Sequence, residues 1–189
     1  MRRPIPFRIS IVLSALAVLA SVSLAHAANG DVRGSRDYPG IERFAGSVIT
    51  GYEARESDRT RLQTAPFKNG DATGDLRPEG RVTRVAYRID PGPSMLQVAQ
   101  SFEAQFAQAG YETVFACEAE VCGGVHFSMG IDVLYAPFMW VNGVNYHYFA
   151  GRRTGDDGAE TWATVLVSHH GEVVTAQLVV TEVAAPAAQ

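Results

Sequence analysis

Arg81-Val82-Thr83-Arg84-Val85-Ala86-Tyr87-Arg88-Ile89, then Asp90-Pro91-Gly92-Pro93, then Ser94-Met95-Leu96-Gln97: this stretch decides the fold. Its first part alternates, with Thr83, Val85, Tyr87 and Ile89 on one side and Arg84, Ala86 and Arg88 on the other. A period of two predicts a half-buried strand. Pro91 and Pro93 end it. Ser94 with Gln97 three residues later has the spacing of a capping box, so a helix starts there. Leu96, Ala99, Phe102, Phe106 and Ala109 recur at steps of three and four, which predicts one apolar stripe on a helix over 94–109. Gly110 stands where a left-handed C-cap belongs. Tyr111 to Cys117 resumes strand character, giving strand, helix, strand.

Outward from this unit the signals are β. Ala136 to Phe149 carries Asn142-Gly143 between two apolar arms, which predicts a hairpin. Thr161 to Ser168 and Val173 to Glu182 read as two C-terminal strands joined at His169-His170-Gly171. On the N-terminal side, Val48 to Tyr52 reads as a short strand and Leu62 to Phe67 as a second. Arg55 to Arg61 is charged, and Lys68 to Glu79 is a polar loop. The expected fold class is α+β, an antiparallel-dominated sheet with one main helix on a face.

The chain has two cysteines, Cys117 and Cys122. An even count in an oxidising compartment reads first as a disulfide, which would pin the strand end against the Gly123-Gly124 turn. Two alternatives stay open. Thiol redox chemistry is one, although its usual Cys-x-x-Cys spacing at a helix start is absent. A metal site is the other, with Cys117, Cys122 and His126 as ligands and Glu118 or His147 completing the set.

In the expected hairpin Phe138 faces His147, Trp140 faces Asn145, and Met139 faces Tyr146 on the opposite side. Phe138, Trp140, His147 and Tyr148 are therefore the candidate binding surface, provided that side of the ribbon is not core. His169 and His170 fall in a turn, where solvated histidines are ordinary, and neighbours on a strand point opposite ways. Asp31, Arg33, Arg36 and Asp37 read as a solvated charged stretch. No Gly-x-Ser-x-Gly elbow occurs, and no Gly-rich phosphate loop opens a helix. No catalytic residue and no cofactor is expected.

The N-terminus sets the expected compartment. Arg2, Arg3 and Arg8 precede an apolar run from Ile11 to Leu24, and Ala25-His26-Ala27 closes it with a small-x-small cleavage signal. That layout predicts a signal peptide over 1–27. The run is shorter than the roughly 20 apolar residues of a membrane span. Residues 28–182 would form a single globular domain, and 183–189 a disordered tail. The chain has 16 basic and 20 acidic residues, and the signal segment holds three of the basic ones and none of the acidic. The remainder carries a formal charge of −7, with no basic run. Nucleic acid is not an expected partner, because phosphate neutralisation supplies most of such affinity. No membrane span is expected after the signal.

The order and spacing of several landmarks carry a resemblance. They are Asp31-Val32-x-Gly34-Ser35-x-Asp37-x-Pro39, Arg43-Phe44-x-Gly46-Ser47-x-Ile49-x-x-Tyr52, Glu79 to Tyr87, Gly110-Tyr111-Glu112-x-x-Phe115-x-Cys117 and Cys122-Gly123-Gly124. Together they resemble the family called domain of unknown function 4892, exported proteins of Gram-negative bacteria. They also resemble the N-terminal region of proteins that continue into an outer-membrane-protein-A-like domain. The resemblance covers Asp31 to about Glu182. It implies an envelope location and a bonded Cys117–Cys122 pair, and it assigns no activity. The expectation is a non-enzymatic module, periplasmic or outer-membrane-associated, that binds an envelope component of protein or cell-wall origin.

Overall fold

The computed structural model describes residues 30–183. The signal segment 1–27 and, apart from Val183, the expected tail lie outside the described residues. Six strands form one sheet, antiparallel at every step, in the order β1-β4-β8-β7-β6-β5. These are β1 (Val48–Arg59), β4 (Glu79–Ile89), β5 (Glu112–Glu118), β6 (Tyr146–Thr154), β7 (Glu160–His170) and β8 (Val173–Glu182). β2 (Leu62–Gln63) and β3 (Asp75–Leu76) make a small separate pair. Helix α1 (Met95–Gln108) crosses one face, carrying the chain from β4 to the far edge strand β5. The α+β class and the main helix are as expected.

The ends of α1 follow the sequence closely. Ser94 Oγ accepts from Gln97 N–H at 3.2 Å, and Gln97 Oε1 accepts from Ser94 N–H at 2.7 Å. At the other end Gly110 has φ 78°, Gly110 N–H donates to Ala107 and Tyr111 N–H to Phe106, a complete Schellman pattern. The buried stripe is Val98, Ala99, Phe102 and Phe106. Leu96, expected in it, points to solvent instead. Met95, beside it, packs against the core in its place.

β4 is not half-buried, as its alternation suggested, but covered on both faces. Val85, Tyr87 and Ile89 pack under α1 with Phe102, Phe149 and Leu178. Ala86, on the other face, joins a second core with Cys122, Phe127, Met139, Tyr146 and Tyr148. A second layer covers that face: α2 (Ala119–Cys122), α3 (Gly124–Met129) and the chain from Gly130 to Asn145. The all-β reading after Cys122 is thus corrected by α3, and α2, between the cysteines, is a further helix the sequence did not announce. Both are too short for a 3.6-residue period to register in sequence.

The 136–149 hairpin is corrected too. Only its second arm is a strand, β6, and it pairs with β5 and β7 rather than with 136–141. Pro137 has no N–H to give a ladder, and its peptide bond to Ala136 is cis. Asn142 instead caps a local turn, its carbonyl and Oδ1 accepting from Asn145 and Val144 N–H. The hairpins that do form are β6–β7, around Gly155 to Ala159, and β7–β8. The latter turns on Gly171-Glu172 with Gly171 at φ 61°, as the first position of a type II′ turn requires. His169 and His170 therefore end a strand rather than sit in the turn. β1 also runs on through the charged segment to Arg59. An edge strand can carry charge on its open side without losing its ladder.

Candidate functional site

The second layer is irregular, yet it is fixed. Five side chains of the sheet reach up to hold it, four of them by bonding its backbone. Arg84 holds Asp132, with Nε 3.0 Å and Nη2 2.8 Å from the carboxylate. Gln177 accepts from Leu134 N–H at 2.6 Å and donates to Asp132 O at 2.8 Å. Thr50 donates to Phe138 O at 2.6 Å and Thr175 to Trp140 O at 2.7 Å. Ser168 accepts from Asn142 N–H at 2.8 Å and donates to Asn145 O at 3.2 Å. Polar residues buried in the middle of a sheet are costly unless bonded. Here they replace the strand ladder that the segment lacks.

The outcome is an out-in-out projection. Met139 is fully buried, whereas Phe138 is 44% and Trp140 50% exposed. The Trp140 indole stacks on the His170 ring, centroids 4.9 Å apart. Gly51 makes the fit possible, since a Cβ there would lie 2.8 Å from Phe138 Cβ. Among the described residues eleven large apolar side chains are exposed, and seven of them lie between Val121 and Val144. Contacts tie several of them into one surface. The Tyr135 hydroxyl donates to Ser128 O at 2.9 Å, and Gly143 abuts Val125. This concentration of exposed apolar side chains sets the layer apart from the rest of the described surface.

The four expected surface residues are not brought together. Tyr148 is 2% exposed, with its hydroxyl accepting from Gln63 N–H at 3.1 Å and donating to Gln63 O at 3.2 Å. Burial pushes its phenol pKa well above the ordinary value. It is a core residue, because successive residues of β6 face opposite ways. His147 lies on the α1 face, across the sheet from Phe138 and Trp140, with Nδ1 3.4 Å from Glu118. Phe138 and Trp140 remain as surface residues, joined by Val125, Met129, Tyr135 and Val144.

Cys117 and Cys122 form a disulfide that ties the end of β5 to α2. Cys122 O accepts from Phe67 N–H at 2.7 Å, and Gly123, at φ 120°, lets the chain pass Phe67. His126 packs on the Gly70 turn in the second layer. His147 is on the opposite face, so the residues of the metal alternative do not converge. Among the described residues no group of three or more His, Cys, Asp or Glu is placed to hold a metal.

Two arginine clusters, one buried and one part-buried, were not legible as such. Arg84 is 6% exposed and also reaches Asp58 at 2.8 Å. Arg43 binds Asp31 and Asp37, each at 2.9 Å, and Asp31 Oδ1 accepts from Ile49 N–H at 2.8 Å. Tyr87 donates to Asp37 at 3.1 Å. The 31–37 stretch is thus not simply solvated: its carboxylates anchor the N-terminal segment to the sheet. Burial alone would lower the Arg43 pKa, but the two carboxylates outweigh it and raise it.

Fold and site together define an α+β architecture: a six-stranded sheet, a separate two-stranded pair, α1 on one face and a pinned layer with exposed apolar side chains on the other. No family model matches the chain, and no curated protein matches it. Among the described residues no helix is long and apolar enough to cross a membrane.

Proposed function

We propose that this chain is an exported, non-enzymatic envelope module, periplasmic or outer-membrane-associated, that binds another envelope component through the 121–144 layer. Its resemblance to the domain of unknown function 4892 family is part of the same proposal. The observation that carries it is the concentration of exposed apolar side chains on that layer, above a backbone held by the sheet. A rigid scaffold lowers the ordering cost of binding. Aromatic anchors such as Phe138 and Trp140 are the residue types that dominate interface energetics. Basic, then apolar, then small residues at the N-terminus support export, and the bonded cysteine pair suits an oxidising compartment.

The test is co-purification after crosslinking of the protein in its native envelope. Phe138→Ala and Trp140→Ala should each reduce capture of the partner about tenfold, the loss of one aromatic anchor. Their unfolding transitions should stay near that of the unaltered protein, since both side chains are half exposed. Undiminished capture by both variants would refute the assignment of this surface.

A further inference from the structure

The covering layer differs from the rest of the chain in charge. Of the 33 Asp, Glu, Lys and Arg residues between positions 30 and 183, 32 lie outside 121–145. The one inside, Asp132, is held by Arg84 of the sheet at 2.8 Å. The outward side chains of this stretch include Val125, Met129 and Val144 together with three aromatics, Tyr135, Phe138 and Trp140. Val125 and Met129 stand one turn apart on α3. Gly143, next to Val144, abuts Val125, and the Tyr135 hydroxyl reaches back to Ser128 O.

The layer also turns its hydrogen-bonding groups inward. The carbonyls of Asp132, Phe138 and Trp140 accept from Gln177, Thr50 and Thr175, and the N–H groups of Leu134 and Asn142 donate to Gln177 and Ser168. All five bonds run down to the sheet. Pro137 has no N–H. Phe138 N–H donates to Tyr135 O at 3.2 Å, and the Ser128 hydroxyl donates to Val125 O at 2.9 Å.

These two properties separate the kinds of partner. A protein interface of ordinary size carries about ten hydrogen bonds and a polar rim, and this face offers few groups to make them. A bilayer surface makes the opposite demand. Charges are costly near hydrocarbon, and backbone polar groups there must already be bonded. Trp and Tyr are the residues that concentrate at the boundary between lipid and water. Apolar side chains projecting from a fixed support suit shallow insertion at that depth. The remaining charge selects the lipid. The residues from 30 to 183 sum to −7, and 121–145 contains no Lys or Arg to offset it. An anionic surface therefore repels the body of the protein. The charge match is to a lipid surface without net charge.

We propose that the 121–144 layer docks by shallow insertion into a zwitterionic phospholipid surface. This rests on the docking role proposed for that layer and names what it docks on. The side chains of Met129, Val144 and Trp140 enter the lipid, and the backbone stays at the level of the headgroups.

The test is sedimentation of the protein, purified from its native envelope, with vesicles of phosphatidylcholine alone and with phosphatidylglycerol mixed in. Phosphatidylcholine vesicles should carry the protein down, added salt should not release it, and phosphatidylglycerol should weaken the binding. Brominated phosphatidylcholine should quench Trp140 fluorescence. In Trp140→Phe the remaining Trp162, packed against the core beneath the layer, should not be quenched. Met129→Asp and Val144→Asp, at positions 72% and 70% exposed, should each weaken binding about tenfold. Leu96→Asp, an equal charge change on α1, should not.

Protein that stays in solution with phosphatidylcholine overturns the lipid assignment. Crosslinking from Trp140 in the envelope then separates the two readings: a protein adduct leaves the docking surface standing, and no adduct removes both. Tighter binding to the vesicles with phosphatidylglycerol overturns the lipid assignment as well. So does undiminished binding by Met129→Asp and Val144→Asp, an equal loss in Leu96→Asp, or a dimer in sedimentation equilibrium that Met129→Asp dissociates.

Discussion

Arg84, in the middle of β4, clasps Asp132 of the covering layer through two guanidinium nitrogens, the closer 2.8 Å from the carboxylate. The pair joins the sheet to a segment that has no ladder of its own. Asp132 N–H in turn donates to Arg61 O at 3.0 Å, so the contact also reaches the β2 segment. Its side chains are 7% and 18% exposed, against 35% for Asp58, the second partner of Arg84. Asp132→Ala should therefore lower the unfolding free energy by about 3 kcal/mol, the cost of stranding a buried charge. Asp58→Ala should cost less than about 1 kcal/mol, as an exposed pair does. Urea unfolding of both variants measures the difference.

Acid should weaken the domain through the same carboxylates. The hydrogen bond from Arg84 holds Asp58 below its ordinary pKa. Burial raises Asp75, but Arg61 and Arg77 outweigh it and leave it lowered as well. Groups depressed in the folded state add stability above their unfolded pKa and lose it as pH falls through the folded value. The unfolding midpoint should be flat from neutrality to about pH 4 and drop below that. Asp58→Asn with Asp75→Asn should shrink the acid-side drop. Thermal unfolding across pH 2.5 to 7, taken as about the range of carboxylate titration, follows it.

Tyr148 separates core from surface. Tyr148→Phe leaves the Gln63 backbone groups without their partner and should cost about 1–3 kcal/mol. Tyr148→Ala should cost about 3–5 kcal/mol, as for other large core truncations. Neither should alter capture of a partner by the fraction that remains folded. Calorimetric unfolding alongside the capture assay tests both halves.

Much of the fold was legible because its signals were long. The alternation of β4, the capping box at Ser94 and the glycine at 110 each span enough residues to specify one structure. The covering layer was not. α2 and α3 are shorter than the window in which a helical period can be read. Segment 136–141 looked like a hairpin arm because Asn142-Gly143 is a common hairpin turn. Its backbone is held instead by Thr50 and Thr175, and the chain on either side of it by Gln177 and Ser168, contacts distant in sequence. Phe138 and Trp140 were found for the wrong local reason and still point outward. His147 and Tyr148 were misplaced because the sheet, not a two-stranded ribbon, determines which way β6 faces.

Gly51 offers a way to disturb the layer without touching it. A methyl group there would meet Phe138 Cβ at 2.8 Å. Gly51→Ala should cost about 1–3 kcal/mol, the usual range for overpacking, and should weaken partner capture along with it. Restoring space with Phe138→Gly in the same chain, which removes that Cβ, should recover part of the stability but not capture. A double-mutant cycle on stability reads the coupling.

The disulfide closes a loop of only four intervening residues, Glu118 to Val121. Native protein should show no titratable thiol, and Cys117→Ser with Cys122→Ser should cost about 2 kcal/mol. Thiol titration and urea unfolding check the two statements.

The most direct measurement places a photo-crosslinking amino acid, one position at a time, at Trp140, Phe138, Met129 and Leu96 of the protein in its native envelope. Leu96 is as exposed as Trp140 but lies on α1, across the sheet. The expected result is the same adduct from Trp140, Phe138 and Met129 and none from Leu96. An adduct of equal yield at Leu96, or no adduct at any of the three layer positions, would contradict a docking role for the 121–144 layer.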